Sequence, residues 1–146
     1  MPEPRIRVAL LYEQGGSLLL LKQEKNDRSC WLLPGGGVNY GEEIADALDR
    51  ELKEELNLHL DTLGELLFVN DSVAPDKSRH IINLYFAGEV SGNPSLGGEP
   101  DIIDFAYFSA RELEGLPLHP PLNSSLIDWL RGKKRVNPYL GPLWVE

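Results

Sequence analysis

Short apolar runs separated by turn-forming residues make up most of this chain. Six runs have the length and the aliphatic or aromatic content of strands, and they span residues 5–12, 18–21, 30–33, 66–69, 81–90 and 103–108. The segment 22–29 is polar and charged, and the segment 91–101 is rich in Gly, Pro and Ser, so we predict a loop at each. Helical patterns cover residues 41–56 and 122–130, and Ser109 is expected to cap a short helix through residue 113. The pattern predicts one α/β (α+β) domain over residues 1–146.

The helix predicted over residues 41–56 has an apolar stripe. At about 100° per residue, the stripe is formed by Ile44, Leu48, Leu52 and Leu56. Glu51, Glu54 and Glu55 share an arc of about 100° that adjoins the stripe, whereas solvated glutamates belong on the opposite face. Two interpretations remain open at this point. The glutamates form either a charged surface that Arg50 and Lys53 accompany, or a site that needs a cation.

A cation would be of a particular kind. Clustered carboxylates suit hard divalent ions, Mg²⁺ or Mn²⁺, which also bind substrate phosphates. The run Gly35–Gly37 precedes the helix and lets backbone groups approach a ligand closely, although such a run is also typical of a tight turn. No Gly-Lys-Ser/Thr follows it, so it is not a P-loop.

Composition narrows the set of partners. The 146 residues carry a formal net charge of −9, which argues against nucleic acid or an anionic membrane as the main partner. A small anionic substrate remains compatible if a bound cation bridges the like charges. Cys30 is the single cysteine, so no internal disulfide forms, and neither a signal-peptide pattern nor an apolar run of about 20 residues is present. We expect a cytoplasmic protein.

The loop and helix together resemble a known signature. The matching positions are Gly36, Glu42, Arg50, Glu51, Leu52, Glu54, Glu55 and Leu58. Their spacing resembles the Nudix box of the Nudix hydrolases, and the resemblance covers the chain up to about residue 134. Asn57 stands where that family usually has glycine; asparagine also adopts the left-handed conformation expected there, so we expect the site to survive. The resemblance implies an α/β/α sandwich with a mixed central sheet.

The resemblance also implies a chemistry. Nudix enzymes hydrolyse a nucleoside diphosphate linked to another moiety with the help of a divalent metal, here Mg²⁺ or Mn²⁺. Glu51, Glu54, Glu55 and the backbone of Gly36 are the implied metal ligands, and Glu51 or Glu54 acts as the base in some relatives. Arg50 is implied to orient a glutamate, and Glu42 to support the loop.

Further positions resemble the MutT subgroup. Glu99 matches an additional metal-binding or base carboxylate, with an exposed loop glutamate as the alternative. Asn123 matches a residue that reads a purine edge, with a helix-capping residue as the alternative. Lys22, Arg79 and Gly37 are implied to bind substrate.

Several substrates stay open. The Glu99 and Asn123 matches favour a nucleoside triphosphate, Pro75 faintly favours ADP-ribose, and dinucleoside polyphosphates are a third option. A nucleotide-sensing domain without catalysis is the alternative of another class, although such domains can lose box carboxylates that are all present here. The apolar tail, residues 137–146, is expected to pack on the body or on a second subunit, which leaves a homodimer open.

Overall fold

The computed structural model describes residues 2–132 and 137–144. In these ranges the strands are β1 (Arg5–Leu11), β2 (Glu13–Gln14), β3 (Ser17–Lys25), β4 (Arg28–Leu32), β5 (Gly35–Gly37), β6 (His59–Val73), β7 (His80–Ser91), β8 (Ile102–Ser109) and β9 (Tyr139–Pro142). The helices are α1 (Ile44–Leu56) and α2 (Asn123–Leu130). No helix within the described residues is long and apolar enough to cross a membrane.

The strands form two sheets. The central sheet has the order β5-β1-β7-β6-β9, and it is mixed because β1 pairs parallel with β7 and β6 pairs parallel with β9. In the second sheet β3 pairs antiparallel with β2, β4 and β8. The predicted mixed central sheet is confirmed.

The core lies on both faces of β3. Leu19 and Leu21 belong to one hydrophobic cluster, which also contains the buried stripe of α1. Leu18 and Leu20 belong to a second cluster, which contains Leu126 of α2. All four leucines of β3 are fully buried because successive side chains of a strand point to opposite faces and each face is covered. The core residues of α1 and α2 therefore pack against opposite faces of β3.

The loop predicted over residues 22–29 is wrong. The segment is a β-hairpin in which Lys25 pairs with Arg28. Its two turn residues, Asn26 and Asp27, have φ values of 54° and 61°. Positive φ at both central residues is the requirement of the turn that best matches the twist of paired strands. The hairpin is polar because most of its residues project into solvent.

Three other boundaries also differ from prediction. Helix α1 begins at Ile44 and not at residue 41, because Gly41 has a φ of +82° that no right-handed helix accommodates. The helix expected after Ser109 is a single turn, in which the Ser109 hydroxyl accepts a hydrogen bond from the Glu112 amide and the Glu112 carboxylate accepts one from the Ser109 amide. The strand expected over residues 66–69 extends over all of β6, with register shifts between Leu60 and Phe68.

The tail packs on the body of the domain. Its strand β9 extends the central sheet beside β6, and the Leu143 amide donates a hydrogen bond of 2.8 Å to the Asp71 carbonyl. The Tyr139 hydroxyl also bonds the Asp71 carboxylate, at 2.6 Å. Residues 145 and 146 of the predicted tail lie outside the described residues.

Candidate active site

The glycine strand β5 lies directly against α1. The Gly35 amide donates a hydrogen bond of 3.0 Å to Oε1 of Glu55, which joins the strand to the last turn of the helix. A β-carbon added at Gly36 would collide with the carboxylate of Glu51. Glycine at position 36 therefore allows the Glu51 carboxylate to approach the backbone this closely.

Arg50 is the centre of a hydrogen-bond network. Its guanidinium holds Glu42 through two bonds of 2.9 Å each, and it donates to Glu51 at 2.8 Å and to the Gly37 carbonyl at 2.9 Å. The bonds from Arg50 and a further one from the Asn39 amide lower the pKa of Glu42 to about 2. The pKa of Glu51 is nevertheless raised, because burial outweighs the Arg50 hydrogen bond and Glu54 adds repulsion. Arg50 thus contacts Glu51 directly, and its role in orienting that glutamate stays a prediction.

Residues 91–101 are held against the end of α1. The Ser95 amide donates to the Leu56 carbonyl and the Gly97 amide to the Glu55 carbonyl, each at 3.0 Å. Asn57 ends the helix with a φ of 57°, which confirms the expected left-handed conformation. Its side-chain amide donates 2.9 Å to the Ser95 hydroxyl, a contact that glycine could not make. This anchored loop carries Glu99.

The glutamates open onto a pocket of about 370 Å³, which is within the range of small-molecule sites. We name it the acidic pocket. Its carboxylates are Glu51, Glu54, Glu55, Glu99 and Asp101. Its cationic side chains are Arg5, Arg7 and Arg79. Side chains of both signs thus face one space.

Glu55 is the most buried of these carboxylates, with 6% of its surface exposed. Burial raises its pKa well above the ordinary value, and repulsion from Glu51 and Glu99 adds to the effect. The Gly35 hydrogen bond and the more distant Arg7 act in the opposite direction. No cation of the described residues lies within ion-pair distance of Glu55. A bound cation would supply the missing charge.

The donor set fits a hard divalent ion. In residues 2–132 and 137–144, no group of three or more His, Cys, Asp or Glu is arranged so that it could hold a metal ion by protein ligands alone. Mg²⁺ does not need such a cage, since it keeps several waters and is usually bound by one or two carboxylates together with substrate phosphates. The residues that would hold it here are Glu51, Glu54, Glu55, Glu99 and the carbonyl of Gly36.

The structure brings most of the predicted site residues together. Those that line the acidic pocket are Gly36, Gly37, Glu51, Glu54, Glu55, Arg79 and Glu99, and Arg50 donates hydrogen bonds to two of them, Glu51 and Gly37. Glu99 is only partly exposed and lines the acidic pocket, which disfavours the alternative of an exposed loop glutamate.

Lys22 is not brought to the acidic pocket, contrary to expectation. It follows the alternation of β3, so that Gln23 lines the acidic pocket while Lys22 points to the opposite face. There its ammonium lies 5.9 Å from the centre of the Trp31 ring.

Asn123 is also outside the acidic pocket. Its side-chain amide donates to the carbonyls of Leu113 and Leu116, at 2.7 and 2.9 Å, so neither amide hydrogen is available to read a purine edge. The capping alternative is not observed either, because Leu122 occupies the N-cap of α2.

Sequence reasoning missed the arginines of β1. Arg5 and Arg7 are two positions apart on a predicted strand, and this spacing alone places both on one face. Two cations on one face of an otherwise apolar strand were the available signal. Asp101 had no comparable signal, because its position depends on how the loop 91–101 returns to β8.

Comparison with known proteins agrees with this geometry. The NUDIX domain family matches residues 1–130. An ADP-ribose pyrophosphatase of Methanocaldococcus jannaschii is 30% identical over 131 residues, with 88% of this chain and 76% of that protein covered. The nucleoside triphosphatase NudI of Escherichia fergusonii is 32% identical over 133 residues, with 84% of this chain and 94% of that protein covered.

A solved structure is similar as well. The MutT NUDIX hydrolase from Burkholderia pseudomallei superposes with a TM-score of 0.75 at 26% identity, and the match covers 87% of this chain and 98% of that one. The sandwich expected from the sequence is therefore the fold of the chain. The chain belongs to the Nudix family, as a MutT-like hydrolase of phosphoanhydride bonds.

Proposed function

We propose that the protein is a divalent-metal-dependent pyrophosphohydrolase that cleaves a nucleoside or deoxynucleoside triphosphate to the monophosphate and pyrophosphate. The observation that carries this proposal is the acidic pocket, where five carboxylates and three arginines line one space. The carboxylates fit a cation, and the arginines fit the oxygens of a phosphate chain. The related NudI nucleoside triphosphatase supports the choice of substrate.

The arginines answer a problem of charge. A triphosphate would be repelled by the glutamates and by the net charge of −9. Arg7 and Arg79 offer planar donors suited to phosphate oxygens, and Arg79 is exposed, so it is able to meet an incoming substrate. When bound, Mg²⁺ or Mn²⁺ lowers the pKa of water and neutralises charge on phosphoryl oxygens.

The glutamates differ in what they can do. Glu51 is held by Arg50, and its side chain is 16% exposed, which suits a fixed ligand. The Glu54 side chain is 43% exposed and lies 3.6 Å from Arg50, so it is the better placed of the two to take a proton from water entering the pocket. Glu99 adds a further oxygen ligand from the loop side. The proposal includes a small nucleotide as the partner and the cytoplasm as the location.

ADP-ribose is the second candidate. The Methanocaldococcus jannaschii relative with 30% identity is named for that substrate. The acidic pocket would bind the diphosphate of ADP-ribose through the same groups, since a diphosphate also presents oxygens to both cation and arginine.

A substrate panel tests the proposal. The purified protein is incubated with ribo- and deoxyribonucleoside triphosphates, ADP-ribose and dinucleoside polyphosphates, with Mg²⁺ or with EDTA, and the products are separated by ion exchange. We expect monophosphate and pyrophosphate in the Mg²⁺ reactions alone. Glu54→Gln should lose turnover, whereas Glu65→Gln, an exposed glutamate of β6, should keep it. If the protein hydrolyses no member of the panel, the proposal is refuted and a nucleotide-sensing domain is favoured.

A further inference from the structure

We propose that Trp144, together with Asn83, forms a subsite for the nucleobase on the central sheet, next to the acidic pocket. This inference rests on the proposed function, since it assigns the part of the substrate beyond the phosphates. Neither residue belongs to the Nudix box. The subsite is the cavity that we name the sheet pocket, which Arg7, Ser72, Ile81, Asn83, His119 and Trp144 help to line.

The floor of the sheet pocket is one face of the central sheet. Asn83 of β7 pairs with Arg7 of β1 on one side, and Ile81 of β7 pairs with Ser72 of β6 on the other. Directly paired residues point to the same face of a sheet, so these four side chains face the same space. The floor thus extends from β1, beside the acidic pocket, across β7 to β6.

The two pockets adjoin each other. Arg7, Gln23, Arg79 and Ile81 line both of them. A ligand whose phosphates occupy the acidic pocket would therefore extend over β7 towards β9. Adjacent strands are about 4.8 Å apart, so β1 and β9 are about 14 Å apart, which is comparable with the length of an extended nucleotide.

Asn83 provides a polar group that can read a base. It is only 6% exposed, and it lines the sheet pocket. It offers a donor and an acceptor side by side, which is the pattern that recognises the edge of a base. Asn123 cannot serve in this way, since both of its amide hydrogens are already bonded.

Trp144 provides the aromatic wall. It lines the sheet pocket, and its indole Nε1 is buried without a hydrogen-bond partner among residues 2–132 and 137–144. A ligand that supplied an acceptor to this N–H would remove the free-energy cost of leaving it unpaired. Trp144 follows β9, which pairs with β6, and the hydrogen bond from the Leu143 amide to the Asp71 carbonyl fixes the chain just before Trp144. The ring is therefore presented at the far end of the sheet pocket, where a base would stack on it.

The first test uses the indole N–H as a probe. The sequence has three tryptophans, so the ¹H–¹⁵N spectrum should show three indole signals, and Trp144→Phe identifies the relevant one. AMP, GMP, CMP, UMP and ribose 5-phosphate are titrated into the wild-type protein with Mg²⁺. We expect at least one nucleotide to shift the Trp144 signal at concentrations where ribose 5-phosphate does not. The subsite is refuted if no nucleotide shifts the signal, or if ribose 5-phosphate shifts it equally.

The second test is kinetic. Trp144→Ala should raise the KM for the best nucleotide about 10- to 100-fold through the loss of stacking, with little change in kcat. Trp144→Phe keeps a ring and should raise the KM less than about tenfold, through the loss of one hydrogen bond. Trp129→Phe on α2 is the matched control and should change neither constant. An equal fall in kcat for every substrate would show a structural role only and would refute the subsite.

The two proposals fail separately. If nucleotides are hydrolysed and none shifts the Trp144 signal, the subsite is wrong and the function stands. If no nucleotide is hydrolysed and one still shifts the signal, the function is wrong and the subsite stands. If Trp144→Ala does not fold, the Trp144→Phe kinetics and the titration decide.

Discussion

Replacing Glu55 by glutamine should stabilise the metal-free protein while it abolishes activity. Glu55 is 6% exposed, and Oε1 accepts the Gly35 amide at 3.0 Å. Glutamine has nearly the same shape and keeps an oxygen for that hydrogen bond. The substitution therefore removes a buried charge and leaves the packing in place. Most substitutions at buried positions destabilise a protein, so an increase in stability here would point to the removal of a buried charge.

The raised pKa of Glu55 sets an upper limit on the stability that Glu55→Gln should gain. Burial raises the folded-state pKa of Glu55 well above 4.5, and Glu51 and Glu99 add repulsion that Arg7 only partly offsets. A raised carboxyl pKa costs no stability below pH 4.5, and the cost grows as the pH rises towards the folded-state pKa. At pH 7 the loss in free energy of unfolding is at most about 3 kcal/mol, because it cannot exceed the free energy that corresponds to the interval between the ordinary pKa of 4.5 and pH 7. For a chain of this length that corresponds to an increase in Tm of up to about 10 °C.

Calorimetry in EDTA between pH 4.5 and pH 8 measures the effect. The difference in Tm between Glu55→Gln and wild type should be near zero at pH 4.5 and should increase towards pH 7. Glu54→Gln is the matched control, because its 43% exposed side chain should change Tm much less. Added Mg²⁺ should raise the Tm of wild type more than that of Glu55→Gln. A Glu55→Gln protein that is less stable than wild type throughout this range would refute the reasoning.

Two further predictions concern residues that position the site. Arg50→Lys keeps the charge, but a lysine cannot hydrogen-bond Glu42 and Glu51 at the same time. We therefore expect kcat to fall about 10- to 100-fold with a smaller change in KM. An unchanged kcat would contradict the orienting role of Arg50. Asn57→Gly should retain the end of α1 but lose the hydrogen bond to the Ser95 hydroxyl. The Mg²⁺ concentration for half-maximal rate should then rise about two- to fivefold. An unchanged Mg²⁺ titration would show that the loop 91–101 does not depend on this hydrogen bond.

The chemical part of the site was predictable because it is local. On any α-helix, residues three and four positions apart share a face, so the spacing of Glu51, Glu54 and Glu55 determines their grouping before the rest of the fold is known. The conformation of Asn57 was predictable for the same reason, since only a few residue types tolerate the left-handed end of a helix. The structure agrees at each of these positions.

The face of the sheet to which each side chain of β3 points could not be predicted. Its residues 18–21 are four consecutive leucines, and all are fully buried. A strand that is apolar on both faces contains no signal of which face lies towards which layer. The sequence therefore could not show that Gln23 lies at the acidic pocket and Lys22 on the other side. The polar hairpin that continues β3 was missed for a related reason, because it leaves the core and carries polar residues on both faces.

The substrate side of the site depends on the order of the strands. Arg7, Asn83 and Trp144 are far apart in the chain, and they meet because β1, β7, β6 and β9 are neighbours in the central sheet. Two relatives of about equal similarity carry different substrate names, which is expected if the helix that performs the chemistry and the sheet face that selects the substrate vary independently. It follows that changes at Asn83 and Trp144 should alter which nucleotide is preferred, while α1 and its glutamates remain unchanged.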